Sequence, residues 1–250
     1  MKEALFNYTL RLGDTSLILG QRLCEWTGHG PFLEEDLALT NIALDIFGRG
    51  KSLLEYAART EGKGRTEDDL AFFRNDREYF NALITEQPNG DYAKTIIRQA
   101  LIDCFDLLFY TELSKSKDET LAGIAAKSIK EITYHKRHSF SWVNRFGNGT
   151  EESFNRLQNG LTEIWPYTGE LFEMTNVDES LIKEGIAVDL NSLKPVWEKE
   201  ISDLIKKANL TIPESTYFQT GSRKGLHSEH LSYILAEMQS IPRMHPTAKW

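Results

Sequence analysis

Apolar residues recur every three or four positions along most of this chain, and that period restricts its fold more than any other feature. In the first stretch the recurring residues are Leu5, Tyr8, Leu12, Leu19, Leu23 and Trp26. This spacing places them on one face of an α-helix. No stretch shows the convincing two-residue alternation of a half-buried strand. The sequence therefore predicts an all-α protein.

Breaks in the helical period divide the chain into four long helices. We expect these helices at about residues 3–27, 34–59, 91–114 and 118–147. At 1.5 Å per residue, they would be roughly 33–45 Å long. The breaks are rich in Gly, Pro and Asn, which favour turns over helix. Helices of this length favour an up-and-down bundle.

Shorter helices are expected between and after the long ones. Thr66 resembles the first residue of a capping box with Asp69. Asn191 or Ser192 is expected to cap a later helix, and a last helix is expected at about residues 226–240. Thr150 is expected to cap a helix whose apolar face contains Leu157, Leu161, Ile164, Trp165, Leu171 and Phe172.

We expect one domain over residues 1–250, with a bundle core at about 3–175 and C-terminal helices and tail at about 176–250.

Composition excludes several classes of function. The 250 residues carry a net charge of −8, whereas a nucleic-acid-binding surface is basic. No apolar run approaches the roughly 18 residues of a membrane span, and the N-terminal stretch lacks the apolar region of a signal peptide. Cys24 and Cys104 are far apart, which indicates free thiols rather than a disulfide framework. These features predict a cytoplasmic protein with neither a nucleic-acid nor a membrane partner.

Two groups of histidines have a spacing that could bind metal. Glu131, His135 and His138 share one helix face. The cationic residues around them favour a solvated charged face with one buried histidine instead. His227 and His230 are three positions apart, and a hydrogen-bonded or surface pair is the simpler interpretation.

Asp103 and Asp106 interrupt an apolar helix. A carboxylate is costly to bury unless it has a partner, so a side chain should face Asp103. That partner could be a metal, a salt bridge or a hydrogen bond from another helix. The ferritin-like di-iron pattern requires a Glu-x-x-His sequence on each of two helices. No candidate core helix carries a complete one.

Six stretches of the sequence resemble one known family. They are YTLRLGDTSLILGQRLCEW (8–26), DLALTNIALDIFG (36–48), EQPNGDYAKTIIRQ (86–99), AKSIKEITYH (126–135), RFGNGTEES (145–153) and GLHSEHLSYILAEMQ (225–239). They extend from one end of the chain to the other at unbroken spacing. The chain resembles the C subunits of phenylacetyl-CoA epoxidases.

The resemblance implies a ferritin-like fold and a structural, non-catalytic role in a multicomponent oxygenase. Such a complex epoxidises the aromatic ring of phenylacetyl-CoA in aerobic phenylacetate degradation. The implied partners are a catalytic A subunit and a small B subunit, with a reductase component acting indirectly as electron donor. The di-iron centre is expected in the A subunit, and no cofactor is expected in this chain.

The catalytic A subunit is a distant relative, and its ligand pattern can be transferred to this sequence. The six positions that it assigns are Leu17, Ile46, Arg49, Asp103, Ile132 and His135. Asp45 and Glu131 are polar neighbours of these positions. Only Asp103 and His135 keep ligand chemistry, so we expect a vestigial site without metal. Arg49 is expected to contact Asp103 or Asp45, and His135 is expected to hydrogen-bond within the same cluster.

Two other functions stay open at this point. The chain could be a ferritin-like di-metal oxidoreductase that uses Asp103, Glu131, His135 and a further carboxylate. It could also be a stand-alone helical binding module, which would have a polar exterior rather than an apolar patch.

A basic loop precedes the last helix. Arg223, Lys224 and His227 lie around two glycines, and the amides of a helix N-terminus with basic neighbours suit a phosphate. This pattern suggests a loop near the CoA-binding entrance of the partner, with an ordinary surface loop as the alternative.

Overall fold

The computed structural model describes residues 1–214 and 217–248. Within these two ranges the chain has no strand and eleven α-helices. They are α1 (Lys2–Cys24), α2 (Leu33–Glu61), α3 (Glu67–Phe72), α4 (Leu83–Glu86), α5 (Tyr92–Leu113), α6 (Glu119–Gly147), α7 (Glu151–Ile164), α8 (Asn176–Lys183), α9 (Leu190–Lys207), α10 (Glu229–Met238) and α11 (Ser240–Met244). The prediction of an all-α, ferritin-like class with additional helices is confirmed.

The four long helices, α1, α2, α5 and α6, contain 23, 29, 22 and 29 residues. Local signals fix several helix ends. Thr66 and Asp69 form the expected capping box, and the Thr150 hydroxyl accepts from the Ser153 amide at 3.2 Å. Gly62 ends α2 with a φ of 74°, a left-handed conformation that glycine adopts without steric cost. No helix in the described ranges has both the length and the apolar character needed to span a membrane.

For three of the shorter helices, the predicted first or last residues were wrong. The helix that begins after Thr150 ends at Ile164, and the following residues form two 3₁₀ turns. Pro166 explains this end, because proline has no amide hydrogen for a continuing helix. Asp189, rather than Asn191 or Ser192, caps α9. The last predicted helix is shorter than expected and is followed by α11.

The chain forms two compact units. The first unit contains Met1–Pro88 and Thr220–Trp250, and the second contains Asn89–Gln219. The stretch from 176 to 250, which we expected as one C-terminal part, is therefore divided between the units.

In the first unit, α1 and α2 pack closely as an antiparallel pair. Small residues allow this approach, since a Cβ atom placed on Gly50 would lie 3.2 Å from the Cβ of Ser16. Helix α10 adds Leu231, Ile234 and Leu235 to a core that also contains Leu17 and other buried residues of α1, α2 and α3. The C-terminal segment thus completes the core of the first unit.

In the second unit, α5 is packed against α6, α7 and α9. The indole N–H of Trp197 on α9 donates to the carbonyl of Leu101 at 3.0 Å. Trp197 also packs against Trp165 and Phe172, and Phe172 meets Phe105 edge-on. Aromatic packing therefore joins α5, α9 and the two 3₁₀ turns.

Candidate functional site

Three of the six assigned ligand positions lie in the first unit. Leu17 is on α1, and Ile46 and Arg49 are on α2. All three are buried, with exposed fractions of 7%, 2% and 6%. Leu17 packs in the hydrophobic core of the unit. Arg49 does not extend into solvent, and its Nε donates to the Ser16 hydroxyl at 3.1 Å.

The other three positions lie in the second unit, on α5 and α6. Asp103, Ile132 and His135 are almost fully buried. The Asp103 carboxylate accepts one hydrogen bond from Gln99 Nε2 and one from the Ser139 hydroxyl, both at 2.7 Å. Ser139 lies one turn after His135 on α6, so Asp103 reaches the same stretch of that helix. The simpler interpretation of Asp103, a hydrogen bond between helices, is confirmed.

Glu131, His135 and His138, whose spacing could suit a metal, lie on a mainly charged face of α6. His135 is buried, Glu131 and His138 are half-buried, and Arg137 is exposed. A solvated charged face with one buried histidine was the simpler interpretation; His135 is that buried histidine, and the solvated face stays a prediction. Lys136 is an exception, because its ammonium group pairs with Glu200 on α9 instead of extending into water.

The donor set at the six positions does not fit a carboxylate-bridged di-iron centre. Three of the side chains are hydrocarbon, and the guanidinium of Arg49 repels a cation and has no lone pair to offer one. The carboxylate of Asp103 already accepts from Gln99 and Ser139. Elsewhere in residues 1–214 and 217–248, no three His, Cys, Asp or Glu side chains come together as metal ligands would. The contact predicted between Arg49 and Asp103 or Asp45 stays a prediction.

The basic loop before α10 has one of its three basic side chains turned inward. Lys224 is exposed and Arg223 half-buried. His227 instead turns inward, with Nδ1 at 2.8 Å from Glu86 Oε2. The Ser228 amide, at the start of α10, donates to Glu86 Oε1 at 2.6 Å. The Ser228 amide thus binds a carboxylate of the chain itself, and the location of Arg223, Lys224 and His227 near a CoA entrance stays a prediction.

Sequence reasoning missed a buried ion pair in the first unit. Arg74 donates through Nη1 to Asp14 Oδ2 at 3.0 Å, and the Phe80 amide donates to the same oxygen at 3.0 Å. Burial acts to lower the pKa of Arg74, but the Asp14 carboxylate outweighs it and leaves that pKa above its ordinary value. Asp14 lies in the apolar stretch of α1, and this was the available signal that it needed a partner.

Tyr79 lies beside that ion pair. Its ring stacks under the Arg74 guanidinium, at 4.1 Å from the ring centroid. Its hydroxyl donates to the carbonyl of Ala71 and accepts from Gln239 Nε2 at 2.9 Å. Burial raises the pKa of Tyr79, so the phenol keeps its proton. The group is a structural anchor for the C-terminal segment rather than a reactive centre.

Comparison with known proteins shows the class of protein to which this helical chain belongs. The model of the family described as "Phenylacetic acid catabolic protein" matches residues 1–250. The chain belongs to this family.

One relative shows which member of the family this chain is similar to. The chain is 48% identical over 243 residues to an Escherichia coli (strain K12) protein, the C subunit of the 1,2-phenylacetyl-CoA epoxidase of that organism. The match covers 97% of this chain and 98% of the relative. The resemblance drawn from the six sequence stretches is confirmed.

Proposed function

We propose that this chain is a structural, non-catalytic subunit of a multicomponent oxygenase of phenylacetate catabolism. Its complex inserts one atom of O₂ into the aromatic ring of phenylacetyl-CoA and gives a ring epoxide. Two electrons from a reductase and two protons convert the second oxygen atom to water. The di-iron centre belongs to a catalytic A subunit, and the assembly also includes a small B subunit.

The observation that carries the proposal is the chemistry of the buried ligand positions. Leu17, Ile46 and Ile132 put hydrocarbon where a di-iron protein needs carboxylates, and burial of this hydrocarbon stabilises the fold. Arg49 adds a permanent positive charge to a buried environment. Substitution of this kind favours a filled interior over a metal cavity. The name of the E. coli relative supports the complex that we propose.

An exposed apolar stripe on α2 supports a role in an assembly. Leu33, Leu37 and Leu44 fall on one face of the helix at intervals of four and seven residues. Their exposed fractions are 70%, 53% and 58%. Exposed leucines that share one helix face are typical of a region that contacts another protein. A stand-alone binding module with a polar exterior would not need it.

Reconstitution tests the proposal. The A and B subunits of the same complex, a competent reductase, O₂ and phenylacetyl-CoA are combined with or without this chain, and epoxide formation is measured. We expect no product from the chain alone, and a strong loss of activity or solubility of the A subunit when the chain is omitted. Bovine serum albumin in place of the chain controls for nonspecific stabilisation. Turnover by the chain alone, or full activity of the A subunit without it, would refute the proposal.

A further inference from the structure

A buried carboxylate–imidazole pair joins two distant segments of the first unit. Glu86 ends α4, and His227 lies just before α10, 141 positions later. The Glu86 side chain is fully buried and that of His227 is 5% exposed. Nothing in the proposed function accounts for this pair.

Both ring nitrogens of His227 face hydrogen-bond acceptors. Nδ1 lies 2.8 Å from Glu86 Oε2, and Nε2 lies 2.8 Å from the carbonyl oxygen of Tyr79. A carbonyl oxygen can only accept, so Nε2 must carry a proton. The Glu86 carboxylate already accepts from the Ser228 amide through Oε1 and from Asn81 Nδ2 at 3.0 Å through Oε2. Both Glu86 oxygens are thus placed as acceptors, and the geometry suits an Nδ1 that carries a proton and donates as well.

We propose that His227 is held as an imidazolium, and that the Glu86–His227 pair is a pH-dependent latch fixing the C-terminal segment to the first unit. Loss of either proton would set a nitrogen lone pair against an oxygen lone pair inside the protein. The latch would then be replaced by repulsion between two acceptors. Its opening would release the start of α10 from α4.

The neighbouring charges permit this protonation. Arg22 directs Nε and Nη2 at the Glu86 backbone carbonyl, at 3.1 and 2.7 Å, rather than at the Glu86 carboxylate. Its positive charge is balanced by Glu25, which lies 2.6 Å from Nη1. Arg77 points Nη1 at the Gly225 carbonyl, at 3.5 Å. The Tyr79 phenol keeps its proton and carries no charge. Glu86 is therefore a charged group in direct hydrogen-bond contact with the imidazole.

The sign of the pH dependence follows from proton binding. In the opened segment, an imidazole loses its proton at about pH 6.5. The closed latch holds that proton to higher pH, so closing takes up one proton above this value. The closing equilibrium constant then falls about tenfold per pH unit, until the closed pair itself loses its proton. The latch is fully formed below about pH 6.5 and weakens as the pH rises.

The protonation state is measured directly on the full-length wild-type chain. In ¹⁵N-selective NMR of histidine side chains, an imidazolium gives two similar nitrogen shifts, whereas a neutral ring gives two widely separated ones. His227→Gln assigns the signal by its loss. We expect the imidazolium signature for His227 at pH 7, and the neutral one for a freely titrating ring at pH 8. Widely separated shifts for His227 at pH 7 would overturn the proposal.

The opening equilibrium of the latch is measured by hydrogen exchange of the α10 amides between pH 6.5 and 9. The exchange rates are corrected for the intrinsic exchange rate at each pH. In wild type, we expect corrected exchange to rise up to about tenfold per pH unit. In His227→Gln, it should start higher and stay independent of pH. His230→Gln, on α10 and outside the pair, is the matched control and should behave like wild type. A wild-type pH dependence equal to that of His227→Gln would overturn the latch.

Discussion

The ligand positions assigned from the family resemblance hold different kinds of residue in the two compact units. The positions in the first unit hold Leu17, Ile46 and Arg49, which offer no metal ligand, and they lie on helices α1 and α2, which approach closely through small residues. The second unit keeps Asp103 and His135, and it supplies Asp103 with neutral donors from Gln99 and Ser139. A buried carboxylate such as Asp103 can thus be satisfied by neutral side-chain donors.

The same contrast extends to the other buried polar groups. The first unit joins distant parts of the chain through charged pairs, Asp14 with Arg74 and Glu86 with His227. The second unit joins α5 and α9 through aromatic packing and the Trp197 hydrogen bond, and its charged pair between α6 and α9, Lys136 with Glu200, is more exposed than either pair of the first unit. Loss of one partner should therefore be more costly in the first unit.

The largest effect is expected for Arg74→Met. The substitution leaves the Asp14 carboxylate buried without its cation, which typically costs about 3–5 kcal/mol of unfolding free energy. Urea denaturation of the purified chain measures the change. Arg156→Met removes an exposed arginine of the second unit from its surface pairs with Glu152 and Asp91 and is the matched control, with no measurable change expected. Equal losses for both variants would remove the contrast between the units.

A smaller effect is expected for Ser139→Ala in the second unit. It removes a donor from the buried Asp103 carboxylate and should cost about 1–3 kcal/mol. Ser128→Ala is the control on the same helix, because the Ser128 hydroxyl is buried and bonds to the Ile124 carbonyl one turn earlier. The thermal unfolding midpoints of the two variants, compared with that of the wild-type chain, measure the two losses of stability. If Ser128→Ala is as destabilising as Ser139→Ala, the hydrogen bond to Asp103 has no special importance.

The close approach of α1 and α2 gives a third prediction. An added methyl group in Gly50→Ala would lie 3.2 Å from the Ser16 Cβ and 3.3 Å from the Leu17 amide nitrogen. We expect a loss of about 1 kcal/mol from overpacking. Gly48→Ala, two residues earlier on the same helix, has open space and should gain about 0.5–1 kcal/mol. Stabilisation by both substitutions would show that the α1–α2 interface has room to spare.

The smallest effect concerns the two thiols, one in each unit. Burial raises the pKa of both Cys24 and Cys104, so little reactive thiolate is present at pH 8. Cys24 is half-buried and Cys104 fully buried, so Cys24 should be alkylated first. Timed labelling with iodoacetamide and peptide mass spectrometry measures the order. Urea should abolish the difference, and faster labelling of Cys104 in the native chain would contradict its burial.

Local signals explain which parts of the fold were predictable. The four long helices follow from apolar periodicity, and the caps at Thr66 and Thr150 follow from hydrogen bonds within a few residues. The helix end at Ile164 was also a local feature, because Pro166 is visible in the sequence, but the apolar pattern was given more weight than the proline.

The long-range polar pairs could not be predicted in the same way. Asp14 and Arg74 are 60 positions apart, and Glu86 and His227 are 141 apart. The sequence shows that a buried carboxylate needs a partner, but it does not show which residue reaches it once the helices pack. For this reason the inward turn of His227 was missed, while the need of Asp103 for a donor was recognised.

The iron content of the purified chain distinguishes a vestigial site from a functional di-iron centre. The purified full-length chain is incubated anaerobically with excess Fe(II), desalted, and measured by elemental analysis, with the catalytic A subunit as positive control. We expect about two iron atoms per A subunit and no iron above background in this chain. About two tightly bound iron atoms per copy of this chain would contradict the vestigial site and favour a di-metal oxidoreductase.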